Sequence, residues 1–138
     1  MDSRCRKPKE ITHIMNNTGT HSEALFLTKC IELDYTVSKP FSENTRYDFI
    51  IDKDNSLYRV QIKSTNYKRS DNQYAVRLRY QFNINYTSDD IDFYAVHIIP
   101  EDDWYIFPIS FANTVQFWVT ENIKGKYEKY KNNFGFVM

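Results

Sequence analysis

The sequence predicts an α/β or α+β fold, with one mixed sheet formed by several strands between a first helix and a small second helix. Three observations predict it. Residues 20–33 have a helical pattern, two segments at 46–52 and 57–65 alternate between apolar and polar side chains, and residues 92–99 are almost continuously apolar. The chain has 138 residues, of which 41% are hydrophobic, so we expect a single domain with a substantial core.

The first helix is expected to begin near Thr20 and to run to about Leu33. Thr20 and Glu23 fit a capping box, in which both side chains accept hydrogen bonds from backbone N–H groups at the helix start. Glu23 also shares a helix face with Leu27 and Cys30, which should pack on the sheet. Its carboxylate is therefore either the capping group or a ligand in a functional site, and the two roles are compatible.

The two alternating segments predict a β-hairpin. Residues 53–56 between them are typical of a turn. In the resulting register Asp48 lies directly opposite Gln61. Lys63 points to the same side of the sheet, because side chains alternate along a strand. We therefore expect a carboxylate, an amide and an amine to converge on one patch.

The rest of the chain is assigned from similar patterns. The apolar segment 92–99 is typical of a central strand covered on both faces, and His97 within it is expected to be a packed core histidine. Residues 1–17 are expected to form a loose, basic N-terminal arm, and residues 118–138 a C-terminal tail with little periodicity. The other predicted elements are strands over 35–39, 74–80 and 104–109 and a short helix over 110–117.

Composition narrows the possible classes of protein. The sequence has no apolar segment near the roughly 20 residues of a membrane helix, and its N-terminus has no apolar segment typical of a secretory signal. Cys5 and Cys30 lack the spacing of a disulfide scaffold or a zinc site. Unpaired cysteines fit a reducing compartment, so we expect a cytoplasmic protein.

Charge is unevenly distributed although the formal net charge is zero. Between Arg59 and Arg79, six basic residues stand against the single acid Asp71, whereas Asp89 to Asp103 contains six acids and no Lys or Arg. Such a chain can present a basic surface despite its neutral total. The alternative is two solvated surfaces that merely differ in charge.

The patch at Asp48 has the chemistry of a metal site. Asp48 offers a charged oxygen ligand, Gln61 a neutral one and the backbone carbonyl of Ile62 a third, and oxygen ligands are those that Mg²⁺ prefers. Glu23 is a further candidate ligand, and Lys63 could orient water or stabilise charge on a phosphate. Alternatively, Asp48 forms a cross-strand salt bridge with Lys63, and Gln61 and Lys63 belong to the solvated face of an ordinary hairpin.

Three short segments in this order resemble a known family: Gly19-Thr-His-Ser-Glu23, Tyr47-Asp48-Phe-Ile-Ile and Val60-Gln61-Ile62-Lys63-Ser64. They are similar to the PD-(D/E)XK nuclease superfamily, and more narrowly to the branch in which Gln replaces an acid to give QxK. Cyanobacterial group I intron homing endonucleases belong to that branch. The strands near residues 92–96 and 104–109 are also similar, so the resemblance covers about residues 18–110.

The resemblance implies a restriction-endonuclease-like αβββαβ core, with one mixed sheet flanked by helices, and Mg²⁺-dependent cleavage of double-stranded DNA, with Mn²⁺ as a substitute. It implies that Glu23, Asp48, Gln61 and Lys63 form the catalytic site, with the Ile62 carbonyl as a further metal ligand. The uncharged Gln61 makes one ligand weaker than the acid that usually occupies this position.

For DNA binding we look to basic residues, which can neutralise phosphates or contact guanine edges in the major groove. Tyr67 and Tyr74 lie nearby in the sequence, and surface solubility is the alternative role of each basic residue. A chain of this size offers limited contact area, so a long target site favours a homodimer or homotetramer. The candidates are Lys68, Arg69, Arg77 and Arg79.

Two other functions remain open. A Holliday-junction resolvase would share the core and differ in the shape of its DNA substrate. A non-catalytic DNA-binding module could retain the nuclease core as a scaffold, and Gln61 in place of an acid is compatible with it. We find no GxSxG, HExxH, P-loop or GxGxxG motif that would indicate another chemistry.

Overall fold

The computed structural model describes residues 6–66, 68–69, 71–81, 83–111, 114–118, 125 and 127–137, and for residues 6–17 and 115–118 it describes the backbone alone. Residues 1–5 of the expected arm, Cys5 among them, and Tyr67 lie outside the described residues. The elements in chain order are α1 (Arg6–Glu32), β1 (Thr36–Ser38), β2 (Phe49–Lys53), β3 (Ser56–Thr65), β4 (Gln73–Arg77), β5 (Phe93–Ile98), a 3₁₀ helix (Ile99–Glu101), β6 (Asp103–Pro108), β7 (Thr114–Trp118) and a second 3₁₀ helix (Glu128–Tyr130).

Helix α1 begins at Arg6, well before the predicted start at Thr20. The capping-box prediction is wrong, because Thr20 lies inside the helix, where backbone N–H groups already have helical partners. Pro8 falls in the first turn, where its missing N–H removes no helical hydrogen bond. Residues 6–17 therefore continue the helix instead of forming a loose arm.

The buried face of α1 includes Cys30 as predicted but is otherwise displaced by one residue, to Ser22 and Phe26. Ser22, Phe26 and Cys30 are 0% exposed and follow one another at intervals of four residues. Glu23 and Leu27 are only partly buried. Glu23 thus lies at the border of the helix–sheet contact, where its carboxylate can reach the end of the sheet.

The main sheet has five strands in the order β1-β2-β3-β5-β6, and β4 pairs with β7 in a separate two-stranded sheet. Strands β3 and β5 are parallel, and the other pairs in the main sheet are antiparallel. The predicted mixed sheet and the α+β class are confirmed. Among the described residues, no helix combines the length and the apolar character that a membrane crossing requires.

The β2–β3 hairpin has the predicted register, with Phe49 opposite Val60 and Lys53 opposite Ser56. The turn is tighter than expected, because only Asp54 and Asn55 lie between the paired strands. Both have positive φ angles, of 52° and 65°. Asp and Asn tolerate this conformation better than other side chains, and it suits the turn of a two-residue hairpin.

Two apolar cores cover the two faces of the main sheet. All six residues of β5 are buried, as predicted for a central strand, and they alternate between the cores. The α1-side core consists of Phe26, Cys30, Phe49, Ile51, Val60, Ile62, Phe93, Ala95, Trp104, Ile106, Phe134 and Phe136. The tyrosine-side core consists of Tyr74, Val76, Leu78, Tyr86, Ile91, Tyr94, Val96, Ile98, Phe107 and Tyr130.

Three expectations about the later chain are corrected. The predicted helix over 110–117 is wrong, because residues 114–118 form β7, whose Thr, Val, Phe and Trp side chains favour a strand paired with β4. The helix implied between β3 and β5 does not occur in the described residues there, which contain β4. The expected C-terminal tail packs on the fold, since Phe134 and Phe136 belong to the α1-side core.

Candidate active site

Asp48 lies just before β2, at the point where β3 continues without β2 beside it. The Asp48 backbone N–H donates to the Val60 carbonyl at 2.9 Å, although Val60 is the paired partner of Phe49, so the regular hairpin pairing ends at Phe49. The Asp48 carboxylate accepts a hydrogen bond from the Ile62 backbone N–H at 2.7 Å. These two bonds hold the carboxylate at the end of the hairpin, close to residues 61–63.

Glu23 from α1 meets Asp48 at this position. The two carboxyl groups lie close enough that a protonated Glu23 could donate to the Asp48 carboxylate, whereas two charged carboxylates would repel. Burial raises the pKa of Glu23, and the negative charge of Asp48 raises it further. Burial also raises the pKa of Asp48, although the Ile62 N–H and the charges of Lys63 and Lys39 oppose the shift.

A cavity of about 280 Å³ opens beside the two carboxyl groups. Gln61 lines it, and its side-chain amide donates to the Ile62 carbonyl at 3.2 Å. Three of the four predicted catalytic residues, Glu23, Asp48 and Gln61, thus border one small space. The lining residues are Gly19, Thr20, Glu23, Asp48, Gln61, Ile62 and Ser64.

Lys63 lies beside this cavity but is not among its lining residues. Its amine donates to the Arg79 carbonyl at 3.0 Å and lies 5.2 Å from the centre of the Tyr86 ring. Burial lowers the pKa of Lys63, and the charge of Asp48 opposes that shift. Asp48 therefore affects Lys63 by electrostatic attraction over a longer distance. The two side chains do not form the cross-strand salt bridge considered from the sequence.

The oxygen atoms around the cavity fit a small divalent cation. The lining residues could offer the carboxylates of Glu23 and Asp48, the side-chain oxygen of Gln61 and the backbone carbonyl of Ile62. Two adjacent, partly buried carboxyl groups are disfavoured in their charged form, and a cation would neutralise their charge. Within the described residues no group of three His, Cys, Asp or Glu side chains is positioned to hold a metal.

The four predicted DNA-binding residues differ in their surroundings. Arg77 at the end of β4 is exposed, whereas Arg79 is partly buried and its carbonyl holds Lys63. Lys68 lies 5.9 Å from the centre of the Tyr74 ring, and Arg69 is paired with Asp71 at 3.4 Å. Arg77 and Lys68 are therefore the exposed members of the four.

The basic and acidic segments of the sequence are not separate surfaces. Arg59 of β3 forms an ion pair with Asp92 at 3.1 Å, and Arg46 forms one with Asp90 at 3.0 Å. Arg59 also donates through its guanidinium to the carbonyls of residues 88 and 89. Part of the acidic segment is thus neutralised inside the fold, which leaves a smaller basic surface than the sequence suggested.

A buried polar contact between α1 and β5 was missed from the sequence. The Ser22 hydroxyl lies 2.8 Å from His97 Nδ1, and His97 Nε2 lies 3.0 Å from an Asp102 carboxylate oxygen. The His97 ring stacks on Trp104 with centroids 4.4 Å apart. Because Ser22 is fully buried, this set fixes the helix to the sheet instead of attacking a substrate. A serine at the four-residue spacing of Phe26 was the available signal.

This chain is similar to known proteins in both its sequence and its fold. The family model for PD-(D/E)XK endonucleases matches residues 13–136. The solved structure of a bacterial homing endonuclease, I-Ssp6803I, is similar with a TM-score of 0.68 and 21% sequence identity over 82% of this chain and 83% of that one. No curated protein matches the sequence. Since the family match spans nearly the whole described fold, the chain belongs to the PD-(D/E)XK endonuclease family.

Proposed function

We propose that this protein is a Mg²⁺-dependent endonuclease that hydrolyses phosphodiester bonds of double-stranded DNA, of homing or restriction-like type. The observation that carries the proposal is the meeting of Glu23 and Asp48 beside Gln61, with Lys63 close enough to interact with the charge of Asp48. The family match supports nuclease activity, and the likeness of the fold to a homing endonuclease supports a DNA target.

Each side chain has a distinct role in the proposed reaction. Glu23, Asp48, Gln61 and the Ile62 carbonyl would hold the cation, with Mn²⁺ able to replace Mg²⁺. When bound, the cation supplies positive charge that offsets the phosphate and favours activation of water. The Lys63 amine, held against the Arg79 carbonyl and the Tyr86 ring, would stabilise charge that develops on the phosphate or orient the attacking water.

DNA recognition is proposed for the basic residues near β4. Exposed Arg77 would contact phosphate or a base edge, and Lys68, Arg69 and Arg79 would contribute phosphate contacts. One chain of 138 residues covers only part of a long target site, so we propose a homodimer or homotetramer. A DNA-directed nuclease without a described membrane helix is proposed to act in the cytoplasm.

The test is incubation of the purified protein with supercoiled plasmid while the Mg²⁺ concentration is varied. We expect nicked and linear products that require the metal and disappear when it is chelated. A gel shift of the plasmid without any nicking, at every Mg²⁺ concentration, would contradict nuclease activity and favour a non-catalytic DNA-binding module.

The same assay separates the substrate classes. A linear duplex library and a synthetic four-way junction are supplied in equal amounts, and the products are mapped by end sequencing. We expect cuts in the duplex at recurring sequences. Selective cleavage of the junction would instead identify a resolvase.

A further inference from the structure

Lys63 is the only proposed catalytic residue whose functional group is held by the tyrosine-side core. Its amine lies 5.2 Å from the centre of the Tyr86 ring, within the range of a cation–π interaction. The same amine donates to the Arg79 carbonyl at 3.0 Å. An aromatic face and a carbonyl oxygen thus define its position, while its remaining N–H donors stay available to a substrate.

Tyr86 is itself held rigidly. It is 8% exposed, and its ring contacts Tyr94 and Tyr80 edge-on at centroid distances of 5.7 and 5.8 Å. Tyr94 is 2% exposed and donates its hydroxyl to the Leu78 carbonyl at 3.2 Å. Leu78 and Tyr86 are therefore both held against Tyr94 of β5, close to Lys63.

We propose that Tyr86 is a positioning residue for the catalytic amine of Lys63, with its aromatic ring as the functional part. This inference rests on the proposed nuclease function and goes beyond it, because it assigns a role to a residue outside the cavity. A long lysine side chain loses considerable conformational freedom when its amine is fixed. The ring and the Arg79 carbonyl fix it before DNA binds.

The ring, and not the hydroxyl, is expected to matter. Contacts with the lysine are made to the aromatic face, which Phe retains. The comparison of Tyr86→Phe with Tyr86→Leu isolates this feature. Leu keeps an apolar side chain in the core but removes the π face.

Tyr130→Leu is the matched control for loss of a buried aromatic ring. Tyr130 is 5% exposed in the same core and contacts Phe107 and Phe111 edge-on at 5.5 and 5.0 Å. Its nearest ring contacts do not include the Lys63 amine. A comparable loss of thermal stability in both Leu variants therefore separates destabilisation from mispositioning.

The first measurement is cleavage of plasmid at saturating DNA and Mg²⁺, together with the half-saturating concentrations of both. For Tyr86→Leu we expect turnover to fall by on the order of 10²-fold, the cost of a misplaced catalytic group. Half-saturating concentrations should stay near the wild-type values, because neither the carboxylates nor the DNA-binding arginines are altered. Tyr86→Phe and Tyr130→Leu should turn over at the wild-type rate.

The second measurement does not depend on activity. In a ¹H–¹³C NMR spectrum of lysine-labelled protein, the ε-methylene signal of Lys63 should be displaced by the ring current of Tyr86. We expect Tyr86→Phe to keep that displacement and Tyr86→Leu to lose it. Lys63→Arg assigns the signal.

The outcomes separate this inference from the proposed function. A wild-type protein that never cleaves DNA overturns both. A cleaving wild type with Tyr86→Leu as active as Tyr86→Phe overturns this inference alone, as does a Lys63 signal that shows no ring-current shift. Slow turnover of Tyr86→Leu with normal half-saturation, normal Tyr130→Leu and the predicted NMR change supports it.

Discussion

The two faces of the main sheet contribute different halves of the candidate site. The α1 side supplies Glu23, which meets Asp48 beside the cavity, whereas the tyrosine side holds the amine of Lys63 against Tyr86. They meet near Asp48, where β3 extends beyond the first residue of β2. The candidate site therefore combines a carboxylate from α1 with side chains from one end of the β2–β3 hairpin.

Burial shifts the pKa values of the two halves of the candidate site in opposite directions. It raises the pKa values of Glu23 and Asp48 and lowers that of Lys63, so on both sides the charged form is disfavoured by the protein alone. A bound cation would favour the charged carboxylates of Glu23 and Asp48, and a bound phosphate would favour the charged amine of Lys63. Substitutions in each half should therefore separate metal binding from catalysis.

The largest expected effect comes from the tyrosine side. Lys63→Ala removes a positioned amine, and loss of such a group typically costs about 10²–10⁴ in rate. Plasmid nicking should fall by that amount, while DNA binding in a gel-shift assay persists. Lys129→Ala is a matched control, because Lys129 also lies over a tyrosine ring, that of Tyr130 at 4.8 Å, but has no proposed role. Equal nicking by Lys63→Ala and wild type would refute the role of Lys63.

The attachment of the α1 side can be tested at Ser22. Ser22→Ala leaves the buried His97 Nδ1 without its partner, and an unsatisfied buried polar group costs about 1–3 kcal/mol. The free energy of unfolding, measured by denaturant titration, should fall accordingly. Thr28→Ala removes an exposed hydroxyl of the same helix, which donates to the Ala24 carbonyl, and should change stability much less. Equal losses in the two variants would mean that the Ser22–His97 contact contributes no more to stability than the exposed hydroxyl of Thr28.

The carboxyl pair should make metal-free stability depend on pH. A carboxyl whose pKa is higher in the folded protein binds its proton more tightly when folded. Its contribution to stability is therefore complete below the ordinary value, 4.5 for Glu23, and is lost as the pH rises through the raised value. Without metal, the melting temperature of Glu23→Gln should rise relative to wild type over that window. Glu43→Gln, in an exposed loop, is the control.

Mg²⁺ should reverse this trend, because the cation binds the deprotonated pair. The stabilisation of wild type by a fixed Mg²⁺ concentration should grow as pH rises through the same window and then level off. Glu23→Gln should show a weaker increase. Stabilisation by Mg²⁺ that is independent of pH would place the cation elsewhere.

The smallest expected effect concerns the DNA-binding surface. Arg77→Ala should weaken DNA binding modestly and reduce the salt slope of the binding constant by about 1, as expected for one lost phosphate contact. Lys53→Ala, at the far end of the hairpin from Asp48, is the control for net charge. An unchanged salt slope for Arg77→Ala would remove Arg77 from the proposed interface.

The hairpin was predictable because its determinants are local. The alternation in β2 and β3 and the turn at Asp54 and Asn55 are sufficient to predict the register from Lys53 opposite Ser56 to Phe49 opposite Val60. The contacts of Lys63 were not predictable, because they depend on how the segment ending at Tyr86 packs under the sheet. No periodicity in the sequence encodes that packing.

Other errors have the same origin. Residues 114–118 form a strand only because β4 offers them a partner far away in the sequence. Phe134 and Phe136 lack local periodicity, yet they complete the α1-side core through contacts with Phe26, Tyr58 and Phe93. Local patterns therefore predicted elements and register, whereas long-range packing determined which residues surround the site.

The most direct test of the account is the position of the metal. Crystals of the protein grown with Mn²⁺ and a duplex target should show an anomalous peak bound by the Asp48 carboxylate and the Gln61 side-chain oxygen, with Glu23 on one side and the Lys63 amine on the other. A peak elsewhere in the protein, or DNA cleavage in crystals whose Asp48 and Gln61 hold no metal, would contradict it.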